Sequence, residues 1–119
     1  MSLKMHTREV KGIVIIDLSG QVTMGESCAA LREEIRDQIS HGFHKILLNL
    51  GEVNYIDSAG LGELTAAYTT AKNRQSELKL VNLTKRVHDL MQITKLYTVL
   101  DVYDDEKQAM ASFAEPVHI

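Results

Sequence analysis

The residues best placed to do chemistry lie in the run Tyr55-Ile56-Asp57-Ser58-Ala59-Gly60-Leu61-Gly62, which follows the most apolar stretch of the chain. The run opens a segment compatible with a helix up to about Asn73. Asp57 and Ser58 are residue types that cap helices, because their side-chain oxygens accept the free N–H groups of a first turn. Those N–H groups and the helix dipole also favour an anion. The Ser58 hydroxyl is therefore well placed to carry a phosphate, although a plain helix cap is the commoner role for such a serine.

The neighbours of Ser58 leave alternatives open. Gly60 and Gly62 permit either the close approach of another molecule or the close packing of a helix on a sheet. Asp57 either orients the Ser58 hydroxyl or serves only as a cap or turn carboxylate. Glu63 and residues 65–70 include solvent-facing positions, which fit either a docking face or an ordinary solvated helix.

A catalytic serine has little support in the pattern. A hydrolase nucleophile elbow requires Gly-x-Ser-x-Gly, and Ile56 occupies the position of its first glycine. The histidines show no recognisable triad context; they are His6, His41, His44, His88 and His118. Cys28 is the single cysteine, so neither an internal disulfide nor a cysteine zinc site is expected. We predict a protein that is not an enzyme, with no catalytic residue, cofactor or metal.

Composition and charge limit the class of partner. The 119 residues suit one ordered domain, of which 45% are hydrophobic. The net charge of −3 argues against nucleic-acid binding, which needs a basic face. Acidic residues interrupt the basic residues of the second half, which are predicted to form a solvated surface; these are Lys72, Arg74, Lys79, Lys85 and Arg86.

Localisation is predicted from the length of the apolar stretches. None approaches the ~20 apolar residues of a membrane span, and the N-terminus lacks the apolar core of a signal peptide. A cytoplasmic protein without membrane insertion is expected.

The elements that must position Ser58 follow from periodicity and turn signals. The predicted strands are Met5–Val10, Ile13–Leu18, His44–Leu50, Leu78–Leu83 and Val99–Tyr103, with Ser19-Gly20 ending the second. The predicted helices start at a Thr23-x-x-Glu26 capping box, at Asp57-Ser58, at Asn82 or Thr84 and at Asp104 or Asp105, and the last ends at Pro116. Their inner stripes are Cys28, Leu31, Ile35 and Ile39; Leu61, Leu64, Tyr68 and Ala71; Val87, Leu90 and Met91; and Ala109, Met110 and Phe113.

This order of elements indicates the fold class. An antiparallel hairpin followed by helices alternating with buried strands implies a mixed sheet that is mostly parallel. We predict a single α/β domain with four to five strands and about four helices.

Two motifs resemble those of a known family. Asp57-Ser58-Ala59-Gly60-Leu61-Gly62 after a strand resembles the signature of the STAS domain, in particular that of the bacterial anti-sigma factor antagonists. Leu18-Ser19-Gly20-Gln21-Val22 before a capped helix is similar to the family's earlier glycine-containing motif. The resemblance covers residues 5–114, which leaves 1–4 and 115–119 as terminal extensions. It implies a STAS-like domain that acts by binding.

The resemblance implies that an anti-sigma factor serine kinase is the partner. The kinase would use its own ATP to phosphorylate Ser58; the unmodified form captures the kinase and frees the sigma factor, and the phosphorylated form lets go. The residues implied in partner binding are Thr23, Asp57, Ser58, Ala59, Gly60, Leu61 and Gly62. Many relatives carry a second serine where Ala59 stands and an acidic residue where Thr23 stands, and we expect Thr23 to serve its capping box. The alternative is a STAS accessory subunit of a membrane lipid or solute transporter, or of a larger signalling assembly, without a phosphorylation cycle. The oligomeric state is left open.

Overall fold

A mixed five-stranded sheet organises the domain in the computed structural model, which describes residues 3–113. The strands, in their spatial order, are β1 Leu3–Val10, β2 Ile13–Val22, β3 Lys45–Ile56, β4 Glu77–Val81 and β5 Val102–Tyr103. The helices are α1 Glu26–Ser40, α2 Ser58–Asn73, α3 Lys85–Thr94 and α4 Glu106–Ser112, with a 3-10 turn at Leu96–Thr98. Strand β1 is antiparallel to β2, and the other neighbouring strands are parallel. The predicted order and fold class are confirmed.

The two faces of the sheet carry different layers of helix. Helices α1, α2 and α3 pack on one face, where the predicted inner stripes of α1 and α2 join the large core cluster. Helix α4 packs on the other face against a smaller cluster that includes Ile15, Leu47 and Val81. Because successive side chains of a strand point to opposite faces, a strand covered on both sides must be apolar throughout. Strand β2 meets this condition from Ile13 to Ile16.

Strands β2 and β3 extend beyond their predicted ends. Ser19-Gly20 does not end β2, and Leu50 does not end β3, because parallel pairing continues to Val22 and Ile56. The register of this pairing shifts just before Ser19 and again just after Gly20. Gly20 has a φ of 110°, which a glycine adopts at little cost. The two strands therefore end side by side, immediately before Ser58.

The second half of the chain departs from prediction mainly at element boundaries. Of the predicted caps, Thr84 rather than Asn82 caps α3 with its side chain, and Asp105 rather than Asp104 caps α4. Strand β4 ends at Val81 because Asn82 takes a left-handed conformation, with a φ of 60°. Strand β5 has only two residues because the preceding segment forms the 3-10 turn. Helix α4 ends at Ser112, and the predicted stop at Pro116 and the boundary at residue 114 lie outside the described residues.

Lys79 does not belong to a solvated basic surface. Its side chain lies between β4 and α4, and the residue is only 7% exposed. The ammonium group donates to the backbone oxygen and to Oγ of Ser112, each at 3.0 Å, and lies 3.4 Å from the Tyr103 hydroxyl. It also lies 5.2 Å and 5.1 Å from the ring centres of Tyr103 and Phe113. The other four basic residues of the predicted surface are exposed.

Candidate functional site

Ser58 is the first residue of α2, and its side chain is exposed. The cap of the helix is Asp57, whose Oδ1 accepts a hydrogen bond of 2.8 Å from the Gly60 N–H. The plain capping role considered for Ser58 is therefore wrong, because the neighbouring carboxylate fills it. Within residues 3–113 no side-chain hydrogen bond engages the Ser58 hydroxyl, so its oxygen is open to solvent at the positive end of a helix.

The Asp57 carboxylate also joins α2 to the segment before α1. Its Oδ2 accepts a hydrogen bond of 3.0 Å from the Met24 N–H, and the Asp57 N–H donates to the Val22 carbonyl at 3.3 Å. The Met24 and Gly60 N–H groups stabilise the ionised carboxylate, so they lower the pKa of Asp57 below its usual 3.8. The carboxylate thus fixes two chain segments beside Ser58.

Asp57→Asn is expected to release one of these segments and keep the other. Asparagine is also a good cap, so its oxygen still accepts from Gly60, but its NH₂ group faces the Met24 N–H. Amide exchange at Met24 should accelerate by about tenfold while that of α2 changes little, as measured by NMR hydrogen exchange. Unchanged exchange at Met24 would show that the carboxylate acts only as a helix cap.

The same release is expected on acidification. Because folding lowers the pKa of Asp57, its stabilising contribution is complete above the usual value of 3.8 and is lost as the pH falls through the lower, folded-state value. Amide exchange of the wild-type protein should therefore show Met24 protected at neutral pH and losing that protection as the pH falls through the folded-state pKa of Asp57.

The two glycines after Ser58 have different surroundings. A Cβ added at Gly60 would collide with the Val22 carbonyl oxygen and lie 2.6 Å from Ile56 Cγ1, so close packing requires a glycine there. A Cβ added at Gly62 would meet nothing within 4 Å, and Gly62 is exposed. Ala59 is half-buried against the core, and Leu61 is 7% exposed. Of the predicted binding run, Ser58 and Gly62 are the exposed members.

Thr23 does not form the predicted capping box. The cap position of α1 is Gly25, at φ 100° and ψ −130°, and no side chain caps the helix. Since the helix starts at Glu26, the glutamate is in the first position rather than the third, and it cannot reach back as a capping box requires. Thr23 instead exchanges hydrogen bonds with Ser27: the Thr23 N–H donates to Ser27 Oγ, which donates to the Thr23 carbonyl, both at 2.8 Å. Through Met24 and Asp57 this segment lies at the same end of the sheet as Ser58.

An open groove of about 860 Å³ extends from Ser58 along α3. We call it the α2–α3 groove; it is lined by Tyr55, Ile56, Asp57, Ser58, Leu61, Lys85, Arg86, Asp89, Leu90, Ile93 and Thr94. Tyr55 is 40% exposed and Ile93 is 78% exposed, as is Met24, whose N–H is bonded to Asp57. Tyr55 belongs to the run singled out from the sequence, whereas Met24 and Ile93 were not predicted to belong to the site. Ile93 nevertheless carries a signal, since helical spacing places it outside the inner stripe of α3.

Comparison with known proteins identifies the family. The sequence profile of the STAS domain matches residues 4–109. The chain belongs to the STAS domain family. It is 24% identical over 115 residues to the anti-sigma F factor antagonist of Paenibacillus polymyxa, which covers 92% of this chain and 94% of that protein. It is also 26% identical over 102 residues to the anti-sigma-B factor antagonist of Bacillus subtilis, covering 86% and 92%.

Solved structures of STAS domains share the fold. An anti-sigma factor antagonist from Mycobacterium paratuberculosis superimposes with a TM-score of 0.83 at 19% identity, over 93% of each chain. The Bacillus protein SpoIIAA in its phosphorylated form superimposes with a TM-score of 0.69 at 17% identity, over 91% of this chain and 96% of that one. The resemblance inferred from Asp57 to Gly62 is therefore confirmed at the level of family and fold. No helix within the described residues of this STAS domain is long and apolar enough to cross a membrane.

Glu63 is not a surface residue of this STAS domain, contrary to one of the expectations from sequence. It is 8% exposed, and its carboxylate accepts from Arg32 Nη2 at 2.6 Å. The Arg32 side chain is 46% exposed, so the pair joins α1 to α2 at the edge of the core. Any docking face on α2 must therefore be built from other residues.

Proposed function

We propose that this STAS domain is an anti-sigma factor antagonist that binds an anti-sigma factor serine kinase, releases the sigma factor and is switched off by phosphorylation of Ser58. The observation that carries the proposal is the exposed Ser58 hydroxyl at the start of α2, beside an apolar groove. Relatives named as anti-sigma factor antagonists match nearly the whole chain and support a regulatory role. A phosphorylated form of SpoIIAA, which has the same fold, supports the modification.

The docking surface we propose surrounds Ser58. Met24, Tyr55 and Ile93 expose apolar side chains around it, and contact surfaces commonly use such residues at their centres. Thr23 and the exposed part of the run from Asp57 to Gly62 complete this surface, whereas Gly60 and Leu61 support it mainly from within. The kinase supplies the ATP, so this chain needs no nucleotide site.

Phosphorylation alters binding much more than it alters the fold. It adds a charge of about −1.5 to −2. Each unit of charge gains ~0.3–1 kcal/mol at a helix N-terminus, so the free domain tolerates the group. Burying that charge under a partner without a matching cation costs several kcal/mol. A loss of ~3 kcal/mol weakens binding by roughly a hundredfold.

The modification itself is tested with the serine kinase encoded nearest to this gene. Incubation with ATP should add one phosphate to the wild-type protein and none to Ser58→Ala, as measured by intact mass spectrometry. Ser40→Ala, at the exposed end of α1, is the matched control and should be phosphorylated like the wild type. Stoichiometric labelling of Ser58→Ala would refute the assignment of the site.

The charge mechanism is tested by comparing two substitutions of similar size. Ser58→Asp should weaken binding to the kinase markedly, toward the roughly hundredfold loss of the phosphorylated form, because it buries an unpaired charge. Ser58→Asn introduces no charge and should retain affinity within a few-fold. Calorimetric titration measures both, and equal losses would show that size, not charge, disrupts the complex.

The alternative function is an accessory role in a transporter or a larger assembly. The fold also occurs in the murine anion transporter Slc26a9, with a TM-score of 0.71 over 87% of this chain but only 18% of that one. At 17% identity this likeness concerns the fold alone. Co-purification of the tagged domain with a transporter subunit, and not with a kinase, would favour this alternative.

A further inference from the structure

Arg86 shares the α2–α3 groove with Ser58. It lies in the first turn of α3 and is exposed. Its guanidinium carbon lies 5.7 Å from the centre of the Tyr55 ring, and Tyr55 precedes Ser58 by three residues. All three residues line the same groove. The guanidinium group is thus held against the Tyr55 ring, in the groove that Ser58 also lines.

The other charged groups of the groove already have partners. Both oxygens of Asp57 accept backbone hydrogen bonds, from Gly60 and Met24. Lys85 Nζ pairs with Asp89 at 3.1 Å, and the His88 ring lies 3.7 Å from the same carboxylate. Across residues 3–113, Arg86 forms no ion pair with a carboxylate. It is therefore the groove's cation that can accept a new anion without breaking an existing ion pair.

We propose that Arg86 binds the phosphoryl group when Ser58 is phosphorylated, and so folds the modified side chain over the α2–α3 groove. This inference rests on the proposed modification of Ser58. The planar guanidinium presents two N–H donors that match two phosphate oxygens, whereas a lysine offers a point charge. A charge-assisted bond to a dianion is stronger than an exposed contact with an aromatic ring, so the guanidinium exchanges Tyr55 for the phosphate.

The consequence is a second way in which phosphorylation prevents docking. The phosphate–Arg86 pair then occupies part of the groove that Tyr55 and Ile93 also line. One arginine neutralises only part of the charge of about −1.5 to −2, so a partner meets both the remaining negative charge and a covered apolar surface. Lys85 has a smaller role, because its ammonium group remains paired with Asp89.

The test installs phosphoserine at position 58 during translation, by genetic code expansion, so that no kinase is required. The second pKa of phosphoserine is near 6, and a neighbouring cation lowers it by favouring the dianion. In a phosphorus NMR titration the pKa of the phosphate should therefore be higher in Arg86→Gln than in the wild type, by about half a unit for an exposed pair. Arg74→Gln removes an exposed arginine from the far end of α2 and should leave the pKa unchanged.

A second measurement follows the arginine itself. The Nε–H resonance of Arg86 should move when Ser58 is replaced by phosphoserine, and the shift should diminish at high salt. A phosphate that titrates identically in the wild type and in Arg86→Gln overturns the inference. Because the phosphate is installed without an enzyme, that result would leave the proposed kinase reaction standing. Conversely, a failure of the kinase to label Ser58 would not change this titration.

Discussion

Gly60→Ala is expected to destabilise the domain by about 3 kcal/mol, at the upper end of the cost of overpacking, because the new methyl group meets backbone. The Val22 carbonyl oxygen lies where the Cβ would be placed, and it cannot retreat easily, since it accepts the Asp57 N–H at 3.3 Å. Ile56 Cγ1, at 2.6 Å, blocks the same space. Relief requires α2 to move away from the ends of β2 and β3, which would also displace Ser58.

Gly62→Ala is the matched control, two residues further along the same helix. Nothing lies within 4 Å of its added Cβ, and an alanine inside a helix is more stable than a glycine by roughly 0.5–1 kcal/mol. The two substitutions should therefore have opposite signs. Urea denaturation followed by circular dichroism measures both, and a Gly60→Ala protein as stable as the wild type would show that the helix start is not packed as described.

The part of the site that depends on local sequence could be predicted. An apolar run followed by Asp57-Ser58 and two glycines predicts a helix start, and the helix begins at Ser58. The sequence left two roles open for each glycine, because it does not show what lies opposite a residue. In the structure, Gly60 is enclosed because the ends of the neighbouring strands lie against it, whereas Gly62 is not enclosed because the space around it is empty.

The features of the fold and site that the sequence did not predict depend on contacts between distant segments. Ser19-Gly20 has the composition of a turn, yet parallel pairing with β3 turns it into an irregularity within a strand. Thr23 and Glu26 have the spacing of a capping box, but the positive φ of Gly25 starts the helix later. Arg86 and Tyr55 are 31 positions apart in sequence, so their contact in the groove has no sequence signature. Such features are set by tertiary packing, which overrides local preference.

Lys79 is the clearest case of tertiary override, and Lys79→Ala is expected to cost about 3 kcal/mol, as for other long buried side chains cut to alanine. Lysine is almost never fully buried unless its charge is satisfied, so the sequence favours a surface position. Here the ammonium group satisfies its charge at the C-terminal end of α4, through Ser112, and against the faces of Tyr103 and Phe113. The negative end of the helix dipole favours a cation at this point.

Lys79→Met removes the charge of the lysine but keeps an aliphatic side chain, so it measures the two contributions to stability separately. Methionine keeps most of the volume, and an apolar replacement of a buried charged group is often nearly neutral, so the expected cost is below about 1.5 kcal/mol. The Ser112 hydroxyl remains satisfied in this variant, because it also donates to the Ala109 carbonyl at 2.6 Å. Lys72→Ala is the exposed control, and its effect should stay within about 0.5 kcal/mol.

The three lysine variants are compared by urea denaturation, with amide exchange in α4 as a local probe. Lys79→Ala should accelerate exchange in α4 more than in α2, since the lysine connects α4 to β4. If Lys79→Met costs as much as Lys79→Ala, the ammonium group itself holds α4 in place, and the buried stem contributes little. If Lys79→Ala costs no more than Lys72→Ala, Lys79 does not anchor α4, and the helix is held by other contacts, which include the packing of Ala109 and the ion pair between Arg8 and Glu106.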